Sequence, residues 1–127
     1  GLRARRVPKA EIGPQVDAAL AAQGLDELRD HPAHVLSGGE KQLLALASVL
    51  VLAPDAIVMD EPTTLLDLRN ARRVVAAIDA LPIPVVIITH DLELAGRADR
   101  VVVLDAGHVV HDGPPDAAIA AYRELLG

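Results

Sequence analysis

Two short stretches of this chain carry residue types suited to phosphate chemistry. One is Leu36-Ser37-Gly38-Gly39-Glu40-Lys41-Gln42; the other, Asp60-Glu61-Pro62, closes an apolar run 23 positions beyond Ser37. Ser37 reads as a helix N-cap, and Glu40 three residues on completes a capping box. Such a cap serves a helix with or without a ligand. It does not account for Gly38 and Gly39, since each glycine in a helix costs about 1 kcal/mol relative to alanine. Two glycines in a first turn make sense where something must approach the backbone closely. The N–H groups there, with the positive end of the helix dipole, suit an anion such as phosphate. Asp60 and Glu61 fall at the end of a predicted strand, where open α/β sheets place ligands. An aspartate there can hold Mg²⁺, directly or through water. A neighbouring glutamate can orient or deprotonate a water. A carboxylate pair in a loop is otherwise simply solvated. His90 follows Thr89 at the end of the next predicted strand. If the two strands are neighbours, His90 comes near Asp60 and Glu61 and could hydrogen-bond a phosphate oxygen. His31, His34, His108 and His111 read as ordinary surface residues.

The elements that must position these residues are legible from periodicity. Ile12, Val16, Ala19 and Leu20 fall on one helical face, with Gly24 as a stop. Pro14 suits the first turn of that helix and no later position. Asp30 to Val35 reads as a loop. The helix capped by Ser37 runs on through Leu43, Leu44, Leu46, Val49, Leu50 and Leu52 until Pro54, apolar nearly all round and so expected to be buried. Ala56 to Met59 and Pro84 to Ile88 are continuous apolar runs, the pattern of parallel strands buried on both faces. Between them a helix over 68–80 carries Ala71, Val74, Val75 and Ile78 as one stripe, with Arg69, Arg72, Arg73 and Asp79 facing water. This is a βαβ unit with an expected right-handed crossover. A short helix follows His90. Val101 to Leu104 and His108 to His111 flank Asp105-Ala106-Gly107 as a hairpin. Gly113-Pro114-Pro115 breaks the chain, and a last helix carries Ile119, Tyr122 and Leu126 on one side.

Composition bounds the class. The 127 residues suffice for one domain with a modest core, and 51% are hydrophobic, so the chain should fold. Tyr122 is the only aromatic residue, which leaves the core to Val, Leu, Ile and Ala. The net charge of −6 argues against a sequence-independent grip on nucleic acid. Without cysteine there are no disulfides or thiolate metal sites. No apolar run approaches the roughly 20 residues that cross a bilayer. Nor do Arg3, Arg5 and Arg6 lead into the apolar stretch of a signal peptide.

Taken together and in order, the motifs resemble the C-terminal half of an ATP-binding-cassette (ABC) ATPase domain, over nearly the whole chain. Leu36-Ser37-Gly38-Gly39-Glu40 is similar to that family's signature motif. Ala56 to Asp60 is similar to its Walker B strand, and Glu61 to its catalytic glutamate. Thr63-Thr64-Leu65-Leu66-Asp67 stands where the family has its D-loop, and His90 where it has the switch histidine. The hairpin after Arg100 also matches. Four positions depart from the pattern. Glu40 replaces a commoner glutamine, Leu43 stands where arginine often occurs, and Thr64-Leu65 replaces Ser-Ala. The run from Glu61 to Asn70 looks most like energy-coupling-factor-type importers of cobalt, nickel or biotin. No segment reads Gly-x-x-x-x-Gly-Lys-Ser/Thr, the loop that cradles nucleotide phosphates.

The resemblance implies an α/β fold. It would be a partial P-loop NTPase domain of ABC type, with parallel strands, a βαβ unit, a C-terminal hairpin and part of the helical signature subdomain. Residues 1–53 would belong to that subdomain and 54–127 to the ATPase core. The chain would open inside the helical subdomain, after the phosphate and glutamine loops. ATP would lie between two domains facing head to tail. Ser37, Gly38, Gly39 and Glu40 would face the γ-phosphate of ATP held by a partner. Asp60 would support Mg²⁺, Glu61 would polarise the attacking water, His90 would contact the γ-phosphate in its own site, and Asp67 would link the two sites. The implied protein is the ATPase subunit of an importer of a metal ion or vitamin. Its expected partners are a second ATPase domain, identical or different, and integral membrane subunits, with no nucleic acid. Its expected place is the cytoplasmic face of the cell membrane. By itself this chain should hydrolyse ATP negligibly, and it should leave apolar surface and a sheet edge bare. Competing readings are a non-transport ABC protein of DNA maintenance or translation, a non-catalytic module lending its signature to an intact partner, and a metal-dependent hydrolase built on Asp60, Glu61 and His90.

Overall fold

The computed structural model describes residues 1–127, which divide into two compact units, 1–86 and 87–127. In the first unit, α1 (Lys9–Ala22) is followed by two single 3₁₀ turns, α2 (Gly38–Leu50), β1 (Ile57–Asp60) and α3 (Leu68–Asp79). Strand β2 (Val85–Ile88) runs across the division. The second unit continues with α4 (Leu92–Ala95), β3 (Val101–Asp105), β4 (His108–Gly113) and α5 (Pro115–Leu126). β1 and β2 pair in a two-stranded parallel sheet joined through α3, and β3 and β4 form an antiparallel one. The βαβ unit and the hairpin expected from the sequence are therefore present.

Helix α1 starts earlier than its periodicity indicates. Pro8 is its N-cap residue, and Pro14 lies inside it. A proline there removes one intrahelical hydrogen bond and usually crowds the residue before it. That residue is Gly13, which has no side chain to crowd, and open space surrounds it. The helix ends as expected at Gly24, whose φ of 64° suits glycine. The Gly24 N–H donates to the Ala21 carbonyl and the Leu25 N–H to the Leu20 carbonyl, closing a Schellman end. Leu25 is carried into the core by that turn.

The core of the first unit is aliphatic. It comprises Leu2, Leu20, Leu25, Leu36, Leu43, Leu46, Ala47, Ile57, Val74 and Ile78, with Pro62 just beyond β1. Burying a side chain such as Leu43 contributes roughly 1.5–3 kcal/mol. Helix α2 is not buried all round. Only Gly39, Leu43, Leu46 and Ala47 are covered, a stripe of helical period, while Val49 lies exposed. Helix α3 matches its pattern: Val74 and Ile78 are buried, and Arg69, Arg72, Arg73 and Asp79 are exposed.

The strands are not buried on both faces. Val58 on β1 is 67% exposed, and Val86 and Ile88 on β2 are 55% and 54% exposed. Alternate residues face inward, so one face of this sheet is apolar and bare. A continuous apolar run tells which residues could be buried on two faces; whether both are buried depends on what packs against them.

In the second unit, β3 and β4 meet through Ala106 and Gly107, both with positive φ (45° and 81°), the pairing of a type I′ turn. The register slips between Val103 and Leu104, a β-bulge. Arg100 donates two hydrogen bonds of 2.6 Å to the Asp112 carboxylate beside the start of β3. Leu94, Val103 and Ala118 form this unit's small core. Leu126 is 70% exposed, and Tyr122 is half-buried, so the apolar side of α5 frays at its end. His111 is not an ordinary surface residue: it is half-buried, with Nε2 shielded from solvent against Gly113.

Candidate functional site

The capping box read from the sequence forms at the start of α2. The Ser37 N–H donates to Glu40 Oε2 at 2.8 Å, and the Glu40 N–H donates to Ser37 Oγ at 3.3 Å. The Ser37 N–H, and after it the Ser37 side chain, hold the Glu40 carboxyl below its ordinary value, with a smaller contribution from the Arg73 charge. Lys41 N–H donates to the Ser37 carbonyl, as in any helix start. The box therefore uses the N–H groups of Ser37 and Glu40 and leaves those of Gly38 and Gly39 for another acceptor.

The two glycines differ in surroundings. Gly38 is exposed, and a Cβ added to it would come 3.1 Å from the flexible Leu66 Cδ2. Gly39 is buried, and a Cβ there would lie 2.4 Å from Asn70 Oδ1 and 2.7 Å from Asn70 Cβ. What approaches Gly39 closely is thus a side chain of the same molecule. The spacing of the motif gives no sign of this, because Asn70 lies on the next helix.

Asp67 precedes that helix as its N-cap. Its Oδ1 accepts from the Asn70 N–H at 2.9 Å, and its Oδ2 from Asn70 Nδ2 at 2.6 Å. Both bonds lower the Asp67 carboxyl below the usual range. The structure thus brings Ser37, Gly38, Gly39 and Glu40 together with Asp67. Glu40, Asp67, Arg69, Asn70 and Arg73 line one polar cavity of about 480 Å³ beside the start of α2. Arg73 also reaches the Gly24 carbonyl at 3.1 Å. Sequence reasoning missed Asn70 and Arg73. The only available signal was that Arg73 lies one helical turn beyond Asn70, which itself sits three residues after an N-cap aspartate.

Asp60 ends β1 with its side chain exposed. Glu61 follows in the left-handed region, with φ of 47°, and Leu65 repeats that conformation at 64° while fully exposed. Such positions cost about 1–3 kcal/mol for a residue other than glycine and cluster at functional sites. Thr64 Oγ1 donates to Glu61 Oε2 at 2.8 Å, and the Thr64 N–H donates to the Glu61 carbonyl at 3.2 Å. The loop thus aims a carboxylate outward from the strand end and steadies it with one hydroxyl. In the second unit, His90 is exposed at the start of a capped turn. There the Asp91 N–H donates to Thr89 Oγ1, and Asp91 Oδ1 accepts from the N–H groups of Glu93 and Leu94.

A strand ending at Asp60 with Glu61 just beyond it, a capped Gly-Gly helix start packed on a second capped helix, and a βαβ connection make an α/β domain with the features that the ABC ATPase resemblance implies. The comparisons with known proteins agree. The ABC transporter family model matches residues 3–64. A Deinococcus radiodurans protein named as an ABC transporter ATP-binding protein is 49% identical over 126 residues, which are 99% of this chain and 56% of that protein. The biotin transport ATP-binding protein BioM of Rhizobium etli is 46% identical over 125 residues, 98% of this chain and 56% of its own. Among solved structures, cbiO1 from Clostridium perfringens, part of the ABC transporter complex cbiONQ, superposes with a TM-score of 0.79. It is 35% identical, over 94% of this chain and 49% of that one. The chain belongs to the ABC transporter ATP-binding family. It spans about half the length of the curated relatives it matches.

Proposed function

We propose that the full protein carrying this sequence hydrolyses ATP as the ATP-binding subunit of an ABC importer. The observation that carries the reading is Glu61, which is held in a strained conformation beyond β1 with its carboxylate steadied by Thr64. That conformation turns the chain at the end of β1 and presents the carboxylate where positioning a water for attack on a phosphate would need it.

In this reading ATP lies between two such domains. Ser37, Gly38, Gly39 and Glu40 face ATP held by the partner domain, and the N–H groups of Gly38 and Gly39 supply donors to a phosphate oxygen. Glu61 accepts a hydrogen bond from the attacking water and orients it. His90 donates to a γ-phosphate oxygen, and Asp67 relates one site to the other. Asp60 fits Mg²⁺ as a single exposed carboxylate. The ion's remaining ligands would be phosphate oxygens and waters. When bound, Mg²⁺ neutralises charge that develops on the phosphates. Residues 1–53 act as part of the signature subdomain and 54–127 as part of the ATPase core.

A metal ion or a vitamin is the proposed cargo, since BioM is named for biotin transport and the run from Glu61 to Asn70 resembles importers of that type. The proposed partners are a second ATPase domain and integral membrane subunits at the cytoplasmic face, with no nucleic acid. The chain has no helix long and apolar enough to cross a membrane. Phosphate release tests the proposal. The full protein, assembled with its membrane subunits, should release phosphate from ATP, and the 127-residue chain alone should release next to none. A full protein that binds no ATP would end the reading.

A further inference from the structure

The close approach of Asn70 to Gly39 gives the second signature glycine a role inside its own chain. The Asn70 side chain is trapped on two sides. Its Nδ2 donates to Asp67 Oδ2 at 2.6 Å, and its Oδ1, Cγ and Cβ lie where a Cβ on Gly39 would sit, at 2.4, 2.6 and 2.7 Å. The amide cannot swing away from Gly39 without giving up its bond to Asp67. One turn on, Arg73 fixes the same helix to the Gly24 carbonyl at 3.1 Å. Helix α3 therefore has little freedom to slide against the first turn of α2.

We propose that Asn70 is a positioning residue for ATP hydrolysis: held by Asp67, it seats buried Gly39 and sets the distance between the signature turn and the loop that ends at Asp67. The inference rests on the ATPase reading above. It assigns Gly38 and Gly39 different tasks. Gly38 keeps the helix start open on the exposed side, and Gly39 admits Asn70 on the buried side. A side chain at Gly39 would then harm turnover by pushing α2 away from α3, whether or not it also met a nucleotide.

The test is a rescue series in the full protein assembled with its membrane subunits. Gly39→Ala should lower kcat about tenfold or more while the KM for ATP changes little, as expected when positioning is lost rather than binding. Adding Asn70→Gly removes the three atoms nearest the new methyl, so the double variant should stay within about threefold of Asn70→Gly alone. Adding Asn70→Ala should rescue less, because its Cβ remains 2.7 Å from the added methyl. A Gly39→Ala protein with normal turnover, or a Gly39→Ala loss as large in the Asn70→Gly background as in the wild type, would overturn the proposal. If Gly39→Ala fails to fold, Asn70→Ala alone decides. A lower kcat at unchanged KM supports the role, and wild-type kinetics reject it. Glu61→Gln in the same protein separates the two claims. Where it abolishes hydrolysis and the rescue fails, only the Asn70 role falls. Where it leaves hydrolysis intact, the role given to Glu61 falls, whereas a full protein that releases no phosphate from ATP at all removes the ATPase reading.

Discussion

The glycine pair and the carboxylate pair sit in opposite physical situations. Gly39 is buried, its helix start is capped by the Ser37–Glu40 box, and Asn70 fills the space that a side chain would need. Every feature there strengthens the packing of α2 on α3. Asp60 and Glu61 stand at an open strand end, followed by a loop with two residues other than glycine in the left-handed region. The left-handed conformations there cost stability, and the bonds from Thr64 to Glu61 hold the carboxylate at the open end of the strand. The difference teaches where to look for chemistry: a motif residue that packing explains is weak evidence for a ligand, and a strained one that packing does not explain is stronger.

This contrast can be broken by mutation. The largest effect on stability should come from Leu43→Ala, since Leu43 is 1% exposed on the buried face of the signature helix. A loss of about 2–5 kcal/mol is expected in urea or thermal unfolding, and a loss near zero would show that the junction is not the packed region described. Asp67→Ala comes next. It removes the α3 cap and the Asn70 latch, and should cost about 1 kcal/mol. Leu65→Gly should act in the other direction. Replacing a fully exposed left-handed leucine should leave stability unchanged or raise it by up to about 1 kcal/mol. A clear loss would mean that Leu65 has a packing role after all.

The smallest effect is the pH dependence of the junction. Glu40 and Asp67 are held below their ordinary values by hydrogen bonds from the Ser37 and Asn70 N–H groups respectively. Their contribution is therefore complete above the ordinary carboxylate range and is lost as pH falls through the lowered folded values. Acid titration of unfolding should show this decline, and Asp67→Asn should shrink it.

What was legible in the sequence was local. The capping box needs only residues 37–40, the α3 stripe only a period of 3.6, and the hairpin only a turn flanked by apolar runs. The residues singled out for chemistry were legible because their order is specific. What was not legible depended on distant neighbours or on backbone geometry. Pro14 lies inside α1 because Gly13 relieves the crowding that a proline usually imposes. Val58, Val86 and Ile88 are exposed because alternate strand residues have nothing packed on them. Asn70 meets Gly39 across two helices that are separated in sequence by a strand and a loop. The positive φ of Glu61 has no residue-type signal at all, since glutamate is not a usual left-handed residue.

Glu61→Gln in the full, assembled protein tests the central claim most directly. The substitution keeps size and removes the charge that would orient and activate water. Phosphate release should fall by about a hundredfold or more, with ATP still bound. Hydrolysis at the wild-type rate would contradict the account, because the strain at Glu61 would then serve something other than chemistry.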